Sequence, residues 1–384
     1  MFVTDDVKFV GVKDNKIDLF ESQYPVPDGI SYNSFVIIDE KVAVIDTVDI
    51  AFTEEWLGNV SDALGHRRPN YLVVGHMEPD HSANITSFMR VYPEAKIVST
   101  ARSFAMMKNF FGEDFIDRQI VVGDGSSLSL GNHTLHFITA PMVHWPEVMV
   151  TYDSFEKILF SADAFGKFGN PDKEEVWDDE ARRYYIGIVG KYGVQVESLI
   201  KKLLALEIEK ICPLHGPVLC ENIGHYLNLY LTWARYQAQE DGVVIAYTTV
   251  YGNTKRAVLL LLEKLREYGC GNVALYDLAR CDMSMAVADA FKYSKLVLAT
   301  TTYNGGIFPF MRTFIDHLTE RNYSYRTVAF LENGSWAPMA TRVMRERLSG
   351  CKNLEFAHSK VRILSALNED SEREIDALAK EIST

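Results

Sequence analysis

The stretch His76-Met-Glu78-Pro-Asp80-His81 directly follows the apolar run Tyr71-Leu-Val-Val-Gly75. A short apolar run that ends in glycine is typical of a buried strand, so the polar stretch is expected where a strand passes into a loop. Two imidazoles and two carboxylates packed this closely would repel one another or be costly to desolvate unless a cation lay among them. The stretch therefore predicts a metal site, with a polar surface loop as the alternative interpretation.

Three later residues offer single ligands at the ends of predicted strands. His144 lies between two strands in the run Met-Val-His-Trp-Pro, Asp163 ends an apolar strand, and His215 stands beside turn-forming Gly and Pro residues. Any one of them alone would more often be structural than a ligand. With the first stretch they make four imidazoles and three carboxylates, enough for two metal ions.

The composition is that of an ordinary globular chain: of 384 residues, 47% are apolar and 24% are charged. The formal net charge of −13 argues against a nucleic-acid partner. No segment has the apolar length of a membrane span, and the first residues lack the features of a signal peptide. We therefore expect no membrane partner and a cytoplasmic location.

The five cysteines are scattered and form no C-x-x-C pair. Their spacing excludes a zinc ribbon, a rubredoxin-type iron site and a thioredoxin motif. An odd number of unpatterned thiols fits a reducing cytoplasm better than a disulfide framework. These cysteines are Cys212, Cys220, Cys270, Cys281 and Cys351.

The two halves of the chain have different patterns. Residues 1–241 read as short strands first and helices later, including one long helical pattern over 179–206, and this mixture predicts sheets covered by helices. Residues 242–384 alternate regularly as five βα units, which predicts a doubly wound parallel sheet of five strands. The predicted strands of this half are 243–247, 273–276, 296–299, 327–331 and 360–364. The acidic run 172–180 is interpreted as a solvated helix start.

Three loops at the carboxyl ends of strands in the second half predict a flavin site, because ligands of such sheets bind at that edge. The first joins a strand to a helix, where backbone N–H groups can surround a phosphate; no triphosphate or dinucleotide glycine motif is present. The aromatic residues Tyr303 and Trp336 are the candidates for ring contact, or else they cap the sheet edge. The three loops comprise Thr248, Thr249, Val250, Tyr251, Gly252, Asn253 and Thr254, then Thr302, Tyr303, Asn304, Gly305 and Gly306, and then Asn333, Gly334, Ser335, Trp336 and Ala337.

The order HxExDH followed by single H, D and H resembles the metallo-β-lactamase fold in its flavodiiron branch. The segment RRYYIGIVGKYG at 182–193 and the H-W-P at His144 resemble that branch too, and the three loops resemble the FMN loops of flavodoxins. The resemblance covers essentially the whole chain. It implies a metallo-β-lactamase-like αββα sandwich over residues 1–241, followed by a flavodoxin-like domain over residues 242–384.

By position, the resemblance implies one iron at His76, Glu78 and His144, a second iron at Asp80, His81 and His215, and Asp163 bridging both. The residue types agree with iron: similar hydrolases of this fold carry histidine where this chain has Glu78, and an added oxygen donor suits non-haem iron better than zinc.

The implied activity is reduction of O2 to water, of NO to N2O, or of both, with FMN recharging the two iron ions. The ligand set serves both gases and does not separate them. The resemblance also implies a head-to-tail homodimer, or a dimer of such dimers. Because the printed sequence has no C-x-x-C iron module, we expect a separate electron donor, a rubredoxin or alternatively a reduced deazaflavin.

Two other hypotheses are open at this point. One is a zinc-dependent hydrolase fused to a flavodoxin-like module. The other is an electron carrier whose metals only stabilise the fold.

Overall fold

The computed structural model describes residues 1–172 and 176–383. Contacts divide the chain into two compact units, Met1–Leu231 and Thr232–Thr384. The division falls within a helix, whereas the sequence places the boundary between residues 241 and 242; that boundary stays a prediction. No helix in the described ranges combines the length and apolar character needed to cross a membrane.

The first unit consists of short strands and mostly short helices. Its strands are β1 Val7–Phe9, β2 Val12–Asp14, β3 Leu19–Phe20, β4 Tyr24–Pro25, β5 Ile30–Tyr32, β6 Phe35–Ile37, β7 Ala43–Ile45, β8 Tyr71–Val73, β9 Lys96–Ser99, β10 Gln119–Val121, β11 Ser127–Ser129, β12 Thr134–Thr139, β13 Met149–Asp153, β14 Ile158–Phe160 and β15 Lys210–Cys212. Its helices are α1 Thr53–Leu64, α2 Pro79–Ser82, α3 Ile85–Val91, α4 Ala101–Phe111, α5 Trp177–Tyr184, α6 Gly193–Leu203 and α7 Ile223–Ala234, the last of which contains the division.

Two sheets form the centre of this unit, in the orders β1-β6-β7-β8-β9-β10 and β11-β12-β13-β14-β15. Strand β7 is apolar throughout because both of its faces are covered. Ala43 and Ile45 pack in a cluster that contains side chains from both sheets, whereas Val42 and Val44 pack with side chains of α1, α3 and α4. Successive side chains of a strand point to opposite faces, so a strand covered on both faces needs an unbroken apolar run.

The prediction of one continuous helix over 179–206 is wrong, because the structure has two α-helices there with an irregular segment between them. Between α5 and α6 the chain makes a π-helical segment, Tyr185–Val189, and a 3₁₀ turn, Gly190–Tyr192. Tyr24 packs its ring on Gly187 and donates its hydroxyl to the Gly187 carbonyl at 3.0 Å. A side chain bonded to a helix carbonyl is a recognised cause of such irregularity. The acidic run does lead into a helix, since α5 begins at Trp177, but residues 173–175 lie outside the described part.

The second unit alternates strands with helices along most of its length. Its strands are β16 Glu240–Tyr247, β17 Val273–Asp277, β18 Tyr293–Tyr303, β19 Gly306–Ile307, β20 Thr327–Asn333, β21 Glu355–Phe356 and β22 Val361–Ile363. Its further helices are α8 Asn253–Glu267, α9 Met283–Lys292, α10 Pro309–Glu320, α11 Ala340–Arg347 and α12 Glu369–Ile382.

The five predicted strands and their helices are all present in this unit, and the predicted fold class is confirmed. Strands β17, β16, β18 and β20 pair in parallel in that order. The fifth position is split, because β21 and β22 each pair with a different part of β20. The short strand β19 turns back antiparallel on β18. Because β16, β18 and β20 are parallel neighbours, their carboxyl ends lie side by side at one edge of the sheet.

A buried histidine, His133, stands directly before β12 in the first unit. Its Nδ1 donates to Asp153 at 2.7 Å, its backbone N–H donates to Asp39 at 2.7 Å, and its Nε2 lies 3.8 Å from Asp6. Burial alone would lower the pKa of His133, but the three carboxylates outweigh burial and raise it. The folded chain therefore binds this proton more tightly than the unfolded chain does.

We expect His133 to make stability dependent on pH. A pKa raised by folding gives a contribution that is complete below the unfolded pKa of about 6.5 and is lost as the pH rises through the folded pKa. His133→Gln should therefore lower the free energy of unfolding by about 1.5 to 3 kcal/mol at low pH, the usual range for a hydrogen bond to a charged group. This difference in the free energy of unfolding should shrink as the pH rises. Hydrogen exchange of backbone amides in the first unit, followed at several pH values, measures it. A difference that stays constant across this range would contradict the prediction.

Candidate metal centre and flavin site

All seven predicted metal ligands lie in loops or short helices that follow strands of the first unit. His76 and Glu78 follow β8, and the short helix α2 carries Asp80 and His81. The other three come from loops after β12, β14 and β15 and are His144, Asp163 and His215. The structure brings the seven together in two groups, each with donor atoms within 4.8 Å of one another.

The first group consists of His76, Glu78, His144 and Asp163. Glu78 Oε2 lies 3.3 Å from His76 Nε2 and 3.0 Å from His144 Nε2. Asp163 Oδ2 lies 3.3 Å from His76 Nε2 and 3.1 Å from His144 Nε2. Donor atoms that surround one ion at about 2.1 Å lie about 3.0 to 3.5 Å from one another, so this spacing fits a single metal ion.

The second group consists of Asp80, His81 and His215. Asp80 Oδ2 lies 3.3 Å from His81 Nε2 and 3.4 Å from His215 Nε2, and the two Nε2 atoms are 3.0 Å apart. Asp163 Oδ1 lies 3.2 Å from His81 Nε2 and 3.6 Å from His215 Nε2. The two oxygens of Asp163 thus face different groups, which is the arrangement of a carboxylate that bridges two ions.

Hydrogen bonds on the far side of two imidazoles leave their Nε2 lone pairs directed into the site. His76 Nδ1 donates to Glu147 Oε1 at 2.9 Å, and His215 Nδ1 donates to the Ser31 carbonyl at 2.8 Å. Carboxylate and carbonyl oxygens only accept, so Nδ1 must carry the hydrogen in both residues. Outer partners of this kind fix the tautomer and orientation of metal-binding histidines.

The polar atoms of the site need a cation. Both carboxylate oxygens of Asp80 and Oδ1 of Asp163 are shielded from solvent and accept no hydrogen bond from the residues that the structure describes. Burial alone would lower the pKa of His144, but hydrogen bonds to Asp163 and Glu78 raise it to about 9. Burial would raise the pKa of Asp163, but the charges of His81 and His76 hold it well below its usual range. The site stabilises positive charge, and its donors fit two metal ions.

The three predicted flavin loops line a cavity of about 310 Å³ in the second unit. Of the predicted residues, Thr248, Gly252 and Gly306 do not line it, whereas Thr301, Met339 and Ser365 do. The predicted residues that line it are Thr249, Val250, Tyr251, Asn253, Thr254, Thr302, Tyr303, Asn304, Gly305, Asn333, Gly334, Ser335, Trp336 and Ala337.

The residues off the lining have structural positions beside it. Thr248 is buried and shares a hydrogen bond of 2.6 Å with Thr300, which joins β16 to β18. Gly252 caps the start of α8 with φ +89°, and Gly306 begins β19. No side chain in the described part of the chain caps α8, so its first N–H groups are available to an anion. The aromatic candidates Tyr303 and Trp336 are 42% and 81% exposed, which leaves both free to contact a ring.

Comparison with known proteins identifies the family. A family model described as "ODP family beta lactamase" matches residues 30–216. A nitric oxide reductase of Moorella thermoacetica is 29% identical over 361 residues, which cover 91% of this chain and 90% of that protein. An uncharacterised protein of Methanocaldococcus jannaschii is 30% identical over 362 residues, which cover 92% of this chain and 90% of that protein.

Two solved structures match nearly every residue. The rubredoxin oxygen:oxidoreductase of Desulfovibrio gigas has a TM-score of 0.92 at 24% identity, and the match covers 100% of this chain and 97% of that one. The flavodiiron protein of Giardia intestinalis has a TM-score of 0.90 at 24% identity, with the same coverage. The chain belongs to the flavodiiron protein family. The likeness to solved flavodiiron structures confirms the predicted fold, and the family predicted from the sequence is confirmed.

Two buried residues of this flavodiiron chain were missed by the sequence analysis as parts of the site. Glu147 contacts His76, and burial, which would raise its pKa, is outweighed by hydrogen bonds from His76 and the Met77 N–H, which lower it. Tyr184 places its ring 5.6 Å from that of His215, and its hydroxyl has no hydrogen-bond partner among the described residues. Both lie in segments already singled out, near His144 and in 182–193, but no local spacing distinguishes them.

Proposed function

We propose that this chain is a flavodiiron reductase that reduces O2 to water, NO to N2O, or both, at two iron ions supplied with electrons through FMN. The observation that carries the proposal is the position of Asp163, whose two oxygens face two matched donor groups. Each group has two imidazoles and one carboxylate besides Asp163. This is a ligand set for non-haem iron that leaves positions open for a small gas.

In this proposal His76, Glu78 and His144 hold the first iron, and Asp80, His81 and His215 hold the second. Bound iron would take up the gas and pass electrons to it, which is chemistry that side chains cannot supply. The chain's own part is to hold the donors at one geometry: Asp163 keeps the two positions at a constant separation, and Glu147 and the Ser31 carbonyl orient His76 and His215.

FMN is proposed to occupy the cavity of the second unit. Its phosphate would lie against the uncapped start of α8, where Thr249 and Thr254 line the cavity. Its ring would lie between the loops that carry Tyr303 and Trp336. Small polar side chains and two exposed aromatic rings suit a flat heteroaromatic group.

Metal and flavin analysis together with gas kinetics tests the proposal. We expect two iron ions and one FMN per chain, and consumption of O2 or NO by chemically reduced protein in an electrode chamber. Two zinc ions per chain, or a reduced protein that neither gas reoxidises, would overturn it. Rates for the two gases on one preparation would establish the preference. The zinc hydrolase alternative is favoured by none of the comparisons.

For the electron donor we propose a rubredoxin, since the Desulfovibrio gigas relative is named a rubredoxin oxygen:oxidoreductase; a reduced deazaflavin is the alternative. We also propose a head-to-tail homodimer, or a dimer of such dimers, in which one subunit's flavin serves the other's iron. Exposed apolar side chains at the rim of the flavin cavity support a protein contact there: Val250 is 44% exposed, Tyr251 92% and Trp336 81%. The five free cysteines support a cytoplasmic location.

Tyr184→Phe is expected to slow gas reduction without loss of iron or FMN. Burial raises the pKa of the Tyr184 hydroxyl, and the nearby negative charges of Asp163, Glu78 and Asp80 raise it further. It is therefore a neutral donor that has no hydrogen-bond partner among the described residues and could donate to a molecule bound at the proposed iron ions. We expect a fall in kcat of about 100-fold, the lower end of the range for removing one such donor.

Tyr323→Phe is the matched control, because Tyr323 in the second unit also has a buried hydroxyl without a partner among the described residues. Both substitutions should leave stability nearly unchanged, and only the one at Tyr184 should change the rate. Equal rates in the two variants and the natural chain would show that Tyr184 has no part in the reaction.

A further inference from the structure

The two proposed iron positions have matched inner ligands but different outer partners. Each is surrounded by two histidines, one carboxylate and one oxygen of Asp163. Any difference in affinity for electrons that the protein imposes must therefore come largely from groups behind these ligands. One such difference lies between the partners of His76 and His215.

Behind the first position stands a charged group. Glu147 has no exposed side-chain surface, and its Oε1 accepts from His76 Nδ1 at 2.9 Å and from the Met77 N–H at 2.9 Å. Its other oxygen, Oε2, accepts no hydrogen bond from the described residues. Glu147 also lines a cavity of about 370 Å³, together with Thr100, Arg102 and Thr139. A carboxylate on Nδ1–H makes an imidazole a stronger electron donor to a metal at Nε2.

Behind the second position, no carboxylate of the described residues is hydrogen-bonded to the Nδ1 of an imidazole. His215 Nδ1 donates to the Ser31 carbonyl, a neutral acceptor, at 2.8 Å. The Nδ1 of His81 is buried and has no hydrogen-bond partner among the described residues. The imidazoles of this position are thus less polarised than His76.

We propose that Glu147 is a positioning residue that makes the two iron positions unequal, so that the ferric state is held more strongly at His76, Glu78 and His144 than at Asp80, His81 and His215. The inference rests on the proposed function, since it assumes iron in both positions. With iron in both positions, a one-electron oxidant would take its first electron from the iron held by His76, Glu78 and His144. The first position then has the lower reduction potential.

Glu147→Gln tests this with little change of shape. The amide oxygen of Gln can still accept from His76 and Met77, and its NH2 group would take the place of Oε2, which has no described partner to lose. We expect both iron ions to be retained and one of the two Mössbauer quadrupole doublets to change. The lower of the two potentials should rise. A tenfold loss of ferric over ferrous affinity corresponds to about 59 mV for one electron.

Asp46→Asn is the matched control. Asp46 is also buried, and its Oδ1 accepts from the backbone N–H groups of Gly75 at 2.7 Å and His76 at 3.3 Å. It forms no hydrogen bond with an imidazole of the described residues, and its charge acts on the His81 and His76 rings only through space. If the effect comes through the His76 ring, the potential should shift much more in Glu147→Gln than in Asp46→Asn. Equal shifts in both variants would mean that any nearby negative charge suffices, and the proposal would be wrong.

Loss of iron from Glu147→Gln would still be informative. Outer partners of metal ligands contribute about 10- to 100-fold in affinity, so the loss should stop at one ion per chain. The remaining ion should then show the higher of the two potentials of the natural chain. A remaining ion at the lower potential, or unchanged potentials with both ions present, would overturn the proposal. Zinc in place of iron in the natural chain would instead refute the proposed function, so the two failures are distinguishable.

Discussion

Asp163→Asn is expected to lower gas reduction by more than about 100-fold, because replacing mere outer partners of metal ligands already costs about 10- to 100-fold. The two oxygens of Asp163 face the two donor groups at 3.1 to 3.6 Å. An amide nitrogen cannot replace one of these anionic oxygens, so at least one ion must lose a ligand and the link between the ions is broken.

Iron content, Mössbauer spectra and flavin absorbance measure the result. We expect less iron, or two ions without magnetic coupling, while FMN stays bound at its cavity in the second unit. Asp153→Asn is the matched control, since Asp153 is an equally buried aspartate that pairs with His133 instead of a proposed ligand. Loss of stability in both variants but loss of coupling in only one would establish the bridge. Full gas reduction by Asp163→Asn would show that Asp163 does not bridge the ions.

Gly252→Ala is expected to weaken FMN binding by about tenfold or more while iron content stays the same. Gly252 has φ +89°, and a Cβ there would meet no atom within 4 Å, so the substitution causes backbone strain and no clash. Strain of this kind costs about 1 to 2 kcal/mol in a residue with a side chain, and 1.4 kcal/mol is a tenfold change in a binding constant. The loop can relieve the strain only by moving the N–H groups proposed to hold the phosphate.

Gly269→Ala supplies the control at the opposite end of the same helix. Gly269 has φ +85° and equally open surroundings, but it follows α8 and lies away from the cavity. Both variants should lose similar stability, and only Gly252→Ala should lose flavin, as measured by fluorescence titration of the apoprotein with FMN. Equal FMN affinity in the two variants would contradict a phosphate site at this loop. Loss of iron together with FMN would argue against two independent sites.

Much of the second unit could be predicted from local pattern. Each predicted strand there overlaps a strand of the structure, because regular alternation of strand and helix needs only short-range periodicity and turn residues. The split of the fifth strand into β21 and β22 could not be predicted, since it depends on how residues 355–363 meet β20. The irregular segment between α5 and α6 was missed for the same reason: Tyr24, which bonds Gly187, is 163 residues away in sequence.

The chain itself determined which residue types stand at the strand ends: four histidines and three acids at spacings that suit two metal ions, and three polar loops after parallel strands. Only the tertiary structure decided which oxygen of Asp163 faces which group, and which imidazole receives a charged partner. Glu147 reaches His76 across 71 residues of sequence. Such contacts depend on the packing of distant loops around a shared core, and the order of residues along a chain carries no direct record of that packing.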